Sequence, residues 1–261
     1  MTDILQKIVA AKKKEVEQAM RERPLRDLMK QADAAEPTRD FIGALKGDQG
    51  IRLIAEVKKA SPSKGVIRED FDPVAIAQQY AASGAAAISV LTDTDYFQGH
   101  LDYLRDVSAA VDIPVLRKDF VVHPYQIYEA RVAGADAVLL IAECLSRQEL
   151  RGLYHSIRDL GMAALVEFYS PQNLDNVLNT GTELIGVNNR NLTSFDVDLN
   201  HTLRLRKQIP EDKIVVGESG ILTREDALLL QDGGVHAMLV GESLMRQQDI
   251  PTAVRTLLGT H

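Results

Sequence analysis

Eight short runs rich in valine, isoleucine and leucine, each followed by a stretch with helical spacing, constrain this chain more than any other feature. The runs are Arg52–Val57, Ala86–Leu91, Pro114–Arg117, Ala137–Ile141, Ala163–Glu167, Leu184–Val187, Ile214–Gly217 and Ala237–Val240. The helical stretches are Pro73–Ser83, Leu101–Ala110, Tyr125–Ala133, Ser146–Leu160, Pro171–Asn179, Leu199–Gln208, Thr223–Asp232 and Pro251–Leu258. Runs this continuously apolar suit strands buried on both faces, as in a parallel sheet covered by crossover helices. Asp72-Pro73, Ser146, Ser170-Pro171 and Thr223 with Glu225-Asp226 are good helix starts, because side-chain oxygens there can satisfy unpaired N–H groups. Gly84, Gly134, Gly161, Gly181 and Gly233-Gly234 stand where helices should end. Eight such units predict an α/β protein built as a closed (β/α)8 barrel, the TIM-barrel architecture. An open doubly wound sheet is the weaker alternative, since no Gly-x-Gly-x-x-Gly follows the first run.

Ahead of the first strand, Ile4, Leu5, Ile8, Val9, Val16 and Met20 fall on one face of an amphipathic helix from Met1 to about Arg23, closed by Pro24. A second helical stretch, Leu25–Ala34, leads through a Pro37 segment to Phe41–Lys46. The expected organisation is one domain over 1–261, with an N-terminal helical extension at 1–48 that covers one end of a barrel at 51–258. No second domain or low-complexity linker is expected.

Composition narrows the function classes. With 37 acidic against 30 basic residues the net charge is −7, so nucleic acid and anionic membranes are not expected partners. An anionic small-molecule substrate would need a local basic pocket. The single cysteine, Cys144, permits no intramolecular disulfide and reads as a packing residue. The six histidines have no metal-ligand spacing. Apolar runs such as Ala137–Ala142 are too short to span a bilayer, and Asp3, Lys7 and Lys12–Glu15 interrupt any signal-peptide core, so a cytoplasmic location is expected. The oligomeric state is not legible.

In such barrels chemistry sits at the C-terminal ends of the strands. Those ends carry Glu56, Lys58 and Ser61; Thr92-Asp93; Arg117-Lys118-Asp119-Phe120; Glu143; Glu167; Asn188-Asn189-Arg190-Asn191; Glu218-Ser219-Gly220; and Gly241-Glu242-Ser243. Glu56 and Lys58 share a strand face, being two residues apart. One charged strand end could be a simple ion pair. A set of lysines, carboxylates and amides converging on one mouth suits proton transfer. Like charge and burial are expected to lower the pKa of Lys58 or Lys118 towards neutrality, making a general acid. A Schiff-base lysine is also compatible with these residues. Glu56, Glu167 and Glu218 can hold the ammonium groups or exchange protons with them. Asn188 can orient a hydroxyl or carboxylate, and Arg190 can grip a carboxylate. Small residues in the turns after strands seven and eight can cradle a phosphate, with Lys58 and Ser61 completing it. Phe97, Phe120, Leu139 and Leu192 are core residues or the wall of an aromatic pocket.

Ile54-Ala-Glu-Val-Lys-Lys-Ala-Ser-Pro-Ser-Lys-Gly, Ser89-Val-Leu-Thr-Asp, Tyr96-Phe-Gln-Gly, Arg117-Lys-Asp-Phe, Leu165-Val-Glu, Gly186-Val-Asn-Asn-Arg-Asn-Leu, Gly217-Glu-Ser-Gly-Ile and Val240-Gly-Glu-Ser-Leu-Met together resemble the indole-3-glycerol-phosphate synthase family over essentially the whole chain. The resemblance implies a monofunctional carboxy-lyase of tryptophan biosynthesis that closes the indole ring of 1-(2-carboxyphenylamino)-1-deoxyribulose 5-phosphate with loss of CO2 and water. It implies no cofactor and no metal. Lys118 matches the general acid of ring closure, and Glu167 and Lys58 match the groups of the later proton transfers. Glu56 matches a partner orienting the lysines, and Asn188 and Glu218 match substrate-hydroxyl and pocket positions. Arg190 matches the substrate-carboxylate position. Ser61, Ser219, Gly220, Gly241 and Glu242 match the phosphate end; Phe97, Phe120, Leu139, Leu192 and Leu239 match the pocket around the anthranilate ring. Phosphoribosylanthranilate isomerase, a rival barrel, wants a cysteine base after the first strand, where this chain has Glu56-Val-Lys-Lys. A class I aldolase and a barrel that binds a sugar phosphate without turnover are the other rivals.

Overall fold

The computed structural model describes residues 3–47, 50–191 and 194–260. Eight parallel strands close into a barrel in chain order: β1 Arg52–Val57, β2 Ala87–Leu91, β3 Val115–Lys118, β4 Ala137–Ile141, β5 Ala163–Phe168, β6 Leu184–Asn188, β7 Ile214–Glu218 and β8 Ala237–Val240. β1 closes the ring by pairing with both β8 and β2, in registers that include Ile54↔Leu239 and Ile54↔Ala87. The barrel expected from the eight apolar runs is the one observed, and an open sheet is not.

Strands β3, β5, β6 and β7 each run one residue further than the apolar pattern indicates, taking in Lys118, Phe168, Asn188 and Glu218. Pairings such as Leu91↔Lys118 and Asn188↔Glu218 continue there. A polar side chain does not end a strand whose backbone still has a neighbour to bond. The expected helix at Pro171–Asn179 is a 3-10 turn, Pro171–Asn173, followed by Leu174–Leu178. Four small elements escape the pattern reading: a hairpin of Ala60–Ser61 with Gly65–Val66, the helices Thr94–Phe97 and Glu242–Met245, and a 3-10 turn at Ala142–Cys144. Each is too short to show a period.

Alternation along the strands divides the core in two. Leu53, Ala55, Ile88, Val90, Val138, Leu140, Val166, Ile185, Val187 and Val215 face the surrounding helices. Ile54, Ala87, Leu116, Leu139, Leu165, Leu184, Val216 and Leu239 fill the barrel interior. The interior is thus a packed plug beneath the mouth.

The N-terminal segment touches both ends of the barrel. Helix α1, Asp3–Glu22, lays Leu5 and Val9 against the interior cluster near Ile141 and Cys144. Helix α2, Leu25–Asp33, packs beside the helix Pro124–Val132, where Val16, Leu28 and Tyr125 form a separate buried cluster. The Tyr125 hydroxyl donates to the carbonyls of Ala19 and Arg23, at 3.0 Å each, and so closes the α1–α2 junction. At the N-terminal end, Arg39 donates through Nε to Asp136 Oδ2 at 2.9 Å, and Asp136 also accepts from the Val115 N–H at 2.7 Å. Phe41 and Leu45 then join the bottom of the interior plug. Among the described residues no helix is long and apolar enough to cross a membrane.

Candidate active site

The functional side chains are the next inward positions above the plug. Glu56 follows Ile54, Lys118 follows Leu116, Glu167 follows Leu165 and Glu218 follows Val216, each by two residues. In a strand that spacing keeps them on the same face. Closure of the barrel therefore turns four separate strand ends into one cluster. Lys118 Nζ lies 3.8 Å from Glu56 Oε1, from Glu167 Oε2 and from Glu218 Oε2. Lys58, just beyond the end of β1, makes a close ion pair with Glu56 Oε2. Asn188 donates through Nδ2 to Glu167 Oε1 at 2.8 Å, while its Oδ1 accepts from the Arg190 N–H at 2.9 Å. Among the described residues, Glu167 Oε2 and Glu218 Oε1 are buried without a hydrogen-bond partner. Gly186 and Gly241 leave the room for this arrangement: a Cβ at either position would run into the carboxylates of Glu218 and Glu56.

The electrostatics correct one expectation. Burial pulls the Lys118 pKa down, but the carboxylates of Glu167, Glu56 and Glu218 outweigh it and hold the ammonium well above its ordinary value. The free site thus keeps Lys118 charged, instead of lowering it towards neutrality. Burial would raise Glu56, yet Lys58 and Lys118 hold it below the ordinary carboxylate range. Glu218 goes the other way, raised well above that range by burial and by the neighbouring charge of Glu167, with Lys118 only partly offsetting them. Two carboxylates competing for one ammonium cannot both ionise cheaply, so the cluster retains a proton at a pH where isolated carboxyls would have lost theirs. A cationic acid and a carboxyl whose pKa is raised stand side by side in the same cavity, which suits a sequence of proton transfers.

The cavity above this cluster holds about 650 Å³, the size range of sites for small organic molecules. Its lining holds two unlike sets of residues. One comprises Lys58, Ser61, Ser219, Gly220, Gly241 and Glu242. Ser219 and Gly220 there both take positive φ, 67° and 77°. The Ser61 hydroxyl is buried without a hydrogen-bond partner among the described residues. The other set is apolar: Phe97 and Phe120, at a ring separation of 6.1 Å, and Leu239. Arg190 lines the rim.

One expected pocket residue does not join this wall. Leu139 lies within the interior plug, and Ile141, two residues nearer the mouth, takes its place at the cavity. Leu192 lies outside the described residues. The structure also adds residues that the sequence did not single out. Ile4, Leu5 and Ile8 of α1, and Phe195, Val197 and Leu222 of the strand-end loops, line the cavity. The amphipathic face of α1 was visible in the sequence, but only as a cover; nothing local says which end of the barrel it meets. Cys144 is buried beside the cluster, and burial together with Glu167 and Glu143 pushes its thiol up to about 12, which fits a packing residue. Among the described residues no group of His, Cys, Asp and Glu is arranged to hold a metal ion.

A family model for indole-3-glycerol phosphate synthase matches residues 5–257. The chain is 56% identical to the indole-3-glycerol phosphate synthase of Rhodopirellula baltica, over 91% of this chain and 92% of that protein. It is 51% identical to that of Chromobacterium violaceum, over 98% of each. Among solved structures it superposes on a 3-hexulose-6-phosphate synthase with a TM-score of 0.64 at 15% identity, covering 80% of this chain and 99% of the other. KGPDC from Streptococcus mutans gives a TM-score of 0.62 at 13% identity, covering 80% of this chain and 96% of the other. At such identities these two speak for the barrel fold alone.

Proposed function

The chain belongs to the indole-3-glycerol phosphate synthase family, and from that premise we propose how its cavity performs the reaction. It is a decarboxylating lyase of tryptophan biosynthesis. The observation that carries the assignment of roles is the Lys118 ammonium, 3.8 Å from three carboxylates, in a cavity lined by both apolar and polar groups.

The substrate, 1-(2-carboxyphenylamino)-1-deoxyribulose 5-phosphate, lies with its aromatic ring against Phe97, Phe120 and Leu239 and its phosphate against Ser61, Ser219, Gly220, Gly241 and Glu242. Arg190 faces its carboxylate. The ring carbon that bears the carboxylate attacks the ketose carbonyl, and Lys118 delivers a proton to the carbonyl oxygen as the C–C bond forms. Loss of CO2 returns the electron pair to the ring and restores its aromaticity. The new hydroxyl then leaves as water, with Lys58 and Glu167 serving the proton transfers of this stage. Glu56 keeps the two lysines oriented. Asn188 orients Glu167 and a substrate hydroxyl, and Glu218 completes the proton relay with Glu167. A lysine held as ammonium serves a carbonyl acid directly, because the oxygen becomes basic as the bond forms. The same charge argues against a Schiff base, which needs a free amine.

The remaining readings belong to this proposal: one domain spanning the chain, a small-molecule substrate as its partner, no nucleic-acid or membrane partner, and a cytoplasmic location. The deciding experiment is indole fluorescence on mixing the pure protein with the carboxyphenylamino-deoxyribulose phosphate, without added metal or cofactor. The chain contains no tryptophan, so its background is low. A rising indole signal is expected; binding without signal would overturn the roles of Lys118 and Glu167.

The phosphate end has its own test. Gly220 sits at φ 77°, and a Cβ there would collide with the Val197 side chain. Gly220→Val is expected to raise KM by about tenfold or more, through a distorted turn and a filled cradle. An unchanged KM would rule out this loop as the phosphate site.

A further inference from the structure

Asn189 stands next to Asn188 in the chain but points away from the reacting groups. It is 1% exposed. Its Oδ1 accepts from both the N–H and the hydroxyl of Thr202, at 3.0 and 2.7 Å. A backbone N–H can only donate, so the orientation of the amide is settled: Nδ2 must be the group that faces the Ser219 carbonyl, 3.2 Å away. Both ends of the Asn189 side chain are thus committed, one to the helix Asn200–Arg206 and one to the turn after β7.

Ser219 is a non-glycine residue at φ 67°, followed by Gly220 at φ 77°. An L-residue does not hold that conformation without support from its surroundings. The Ser219 carbonyl and the Gly220 N–H belong to the same peptide, and no peptide bond among the described residues is cis. The two groups therefore point in opposite directions. Pinning the carbonyl on the Asn189 side turns the Gly220 N–H towards the cavity that Gly220 lines. From the other flank, Ser243 Oγ donates to the Ile221 carbonyl at 3.0 Å. The turn is strapped on both sides, and only its N–H edge is left to face a ligand.

We propose that Asn189 is a positioning residue for the phosphate cradle: by hydrogen-bonding the Ser219 carbonyl it holds the Ser219–Gly220 peptide with its N–H aimed at the substrate phosphate. The inference rests on the phosphate reading of this loop given above and extends it to a side chain that never touches substrate. Asn189→Asp is the informative change. It keeps an acceptor for Thr202 and replaces the donor at Ser219 by a second acceptor, which repels the carbonyl.

The experiment measures kcat and KM for the carboxyphenylamino-deoxyribulose phosphate and the competitive Ki of inorganic phosphate, in wild type and in Asn189→Asp. The expected result is a rise of about tenfold in both KM and Ki, with a smaller fall in kcat, the scale of one hydrogen bond lost to an ordered acceptor. Asn189→Ala, which buries no new charge, gives the same split if the aspartate variant does not fold. In a Ser219→Gly background, where glycine holds positive φ unaided, the same replacement costs less than it does beside serine. A drop in thermal stability with KM and Ki unchanged overturns the proposal and leaves Asn189 as a packing residue. If inorganic phosphate does not compete in wild type, the phosphate reading itself fails. If it competes equally in wild type and variant, that reading stands and the positioning role alone falls.

Discussion

Lys118→Met is expected to lower kcat by about a thousandfold, the range of a lost general acid, while the substrate still binds. The methionine keeps much of the stem that reaches into the cavity, and the Ser219–Gly220 turn and Phe97 lie on other loops. KM should therefore change far less than kcat, the signature of an interaction made in the transition state. The electrostatic consequence is also large. Lys118 is the ammonium shared by Glu56, Glu167 and Glu218. Without it Glu218, already raised by burial and by Glu167, goes higher still, and Glu56 keeps only Lys58 as a partner. The carboxyl titration of the variant should lie at higher pH than that of wild type, which potentiometric titration of the two proteins measures. Wild-type-like kcat in the variant would sink the assignment of the acid.

Lys12→Met is expected to destabilise the protein by about 3 kcal/mol, the cost of breaking a buried ion pair by removing one partner. For a chain of this length that lowers Tm by roughly 6 to 12 °C. Lys12 lies on α1 with its side chain 2% exposed, and its Nζ is 2.9 Å from Asp93 and 3.0 Å from Asp119. Both carboxylates also organise the mouth. Asp93 Oδ1 accepts from the Tyr96 N–H at 2.8 Å and so caps the short helix that presents Phe97. Asp119 follows Lys118, accepts from the Phe120 N–H at 2.8 Å and pairs with Arg117 at 3.0 Å. The substitution should therefore raise KM as well as lower Tm.

The pH dependence of this cluster follows from Asp119. Burial alone would raise its pKa, but Arg117 and then Lys12, with the Thr92 hydroxyl, bring it from an ordinary 3.8 down to about 2. A carboxyl depressed on folding stabilises the protein above its unfolded value, and that contribution is lost as pH falls from about 4 through 2. With Lys12 gone, Asp119 keeps only Arg117 as a cationic partner, its folded pKa rises, and the acid-unfolding limb should move to higher pH. A series of Tm values between pH 2 and 7 for both proteins tests this. Superimposable curves would mean that Lys12 contributes nothing to the network.

How much of this was legible beforehand depends on the range of each interaction. The strands, their parallel order and the identity of the mouth residues are local matters. Glu56, Lys118, Glu167 and Glu218 sit two residues beyond Ile54, Leu116, Leu165 and Val216, so the period of the strand alone makes them inward-facing. The turn proposed for the phosphate was legible as Glu218-Ser219-Gly220 at a strand end. Leu139 was misplaced by one layer because its apolar run does not mark where the plug stops and the cavity begins. Lys12 looked like one charge among several in the first helix, and its burial between Asp93 and Asp119 is visible only once α1 is laid across two loops from elsewhere in the chain.

The sequence by itself determined an eight-stranded barrel with a set of lysines, carboxylates and amides at its mouth, because alternation and helix caps are written over a few neighbouring residues. The tertiary structure decided the electrostatics and the supports: that Lys118 is held up by three carboxylates rather than pushed down by another lysine, that the pKa of Glu218 is raised, that α1 walls the cavity and that Asn189 braces Ser219. Those depend on groups within about 4 Å of one another in space, where Coulomb and hydrogen-bond energies are largest. The partners come from strands far apart in the chain, and only barrel closure brings them within that distance.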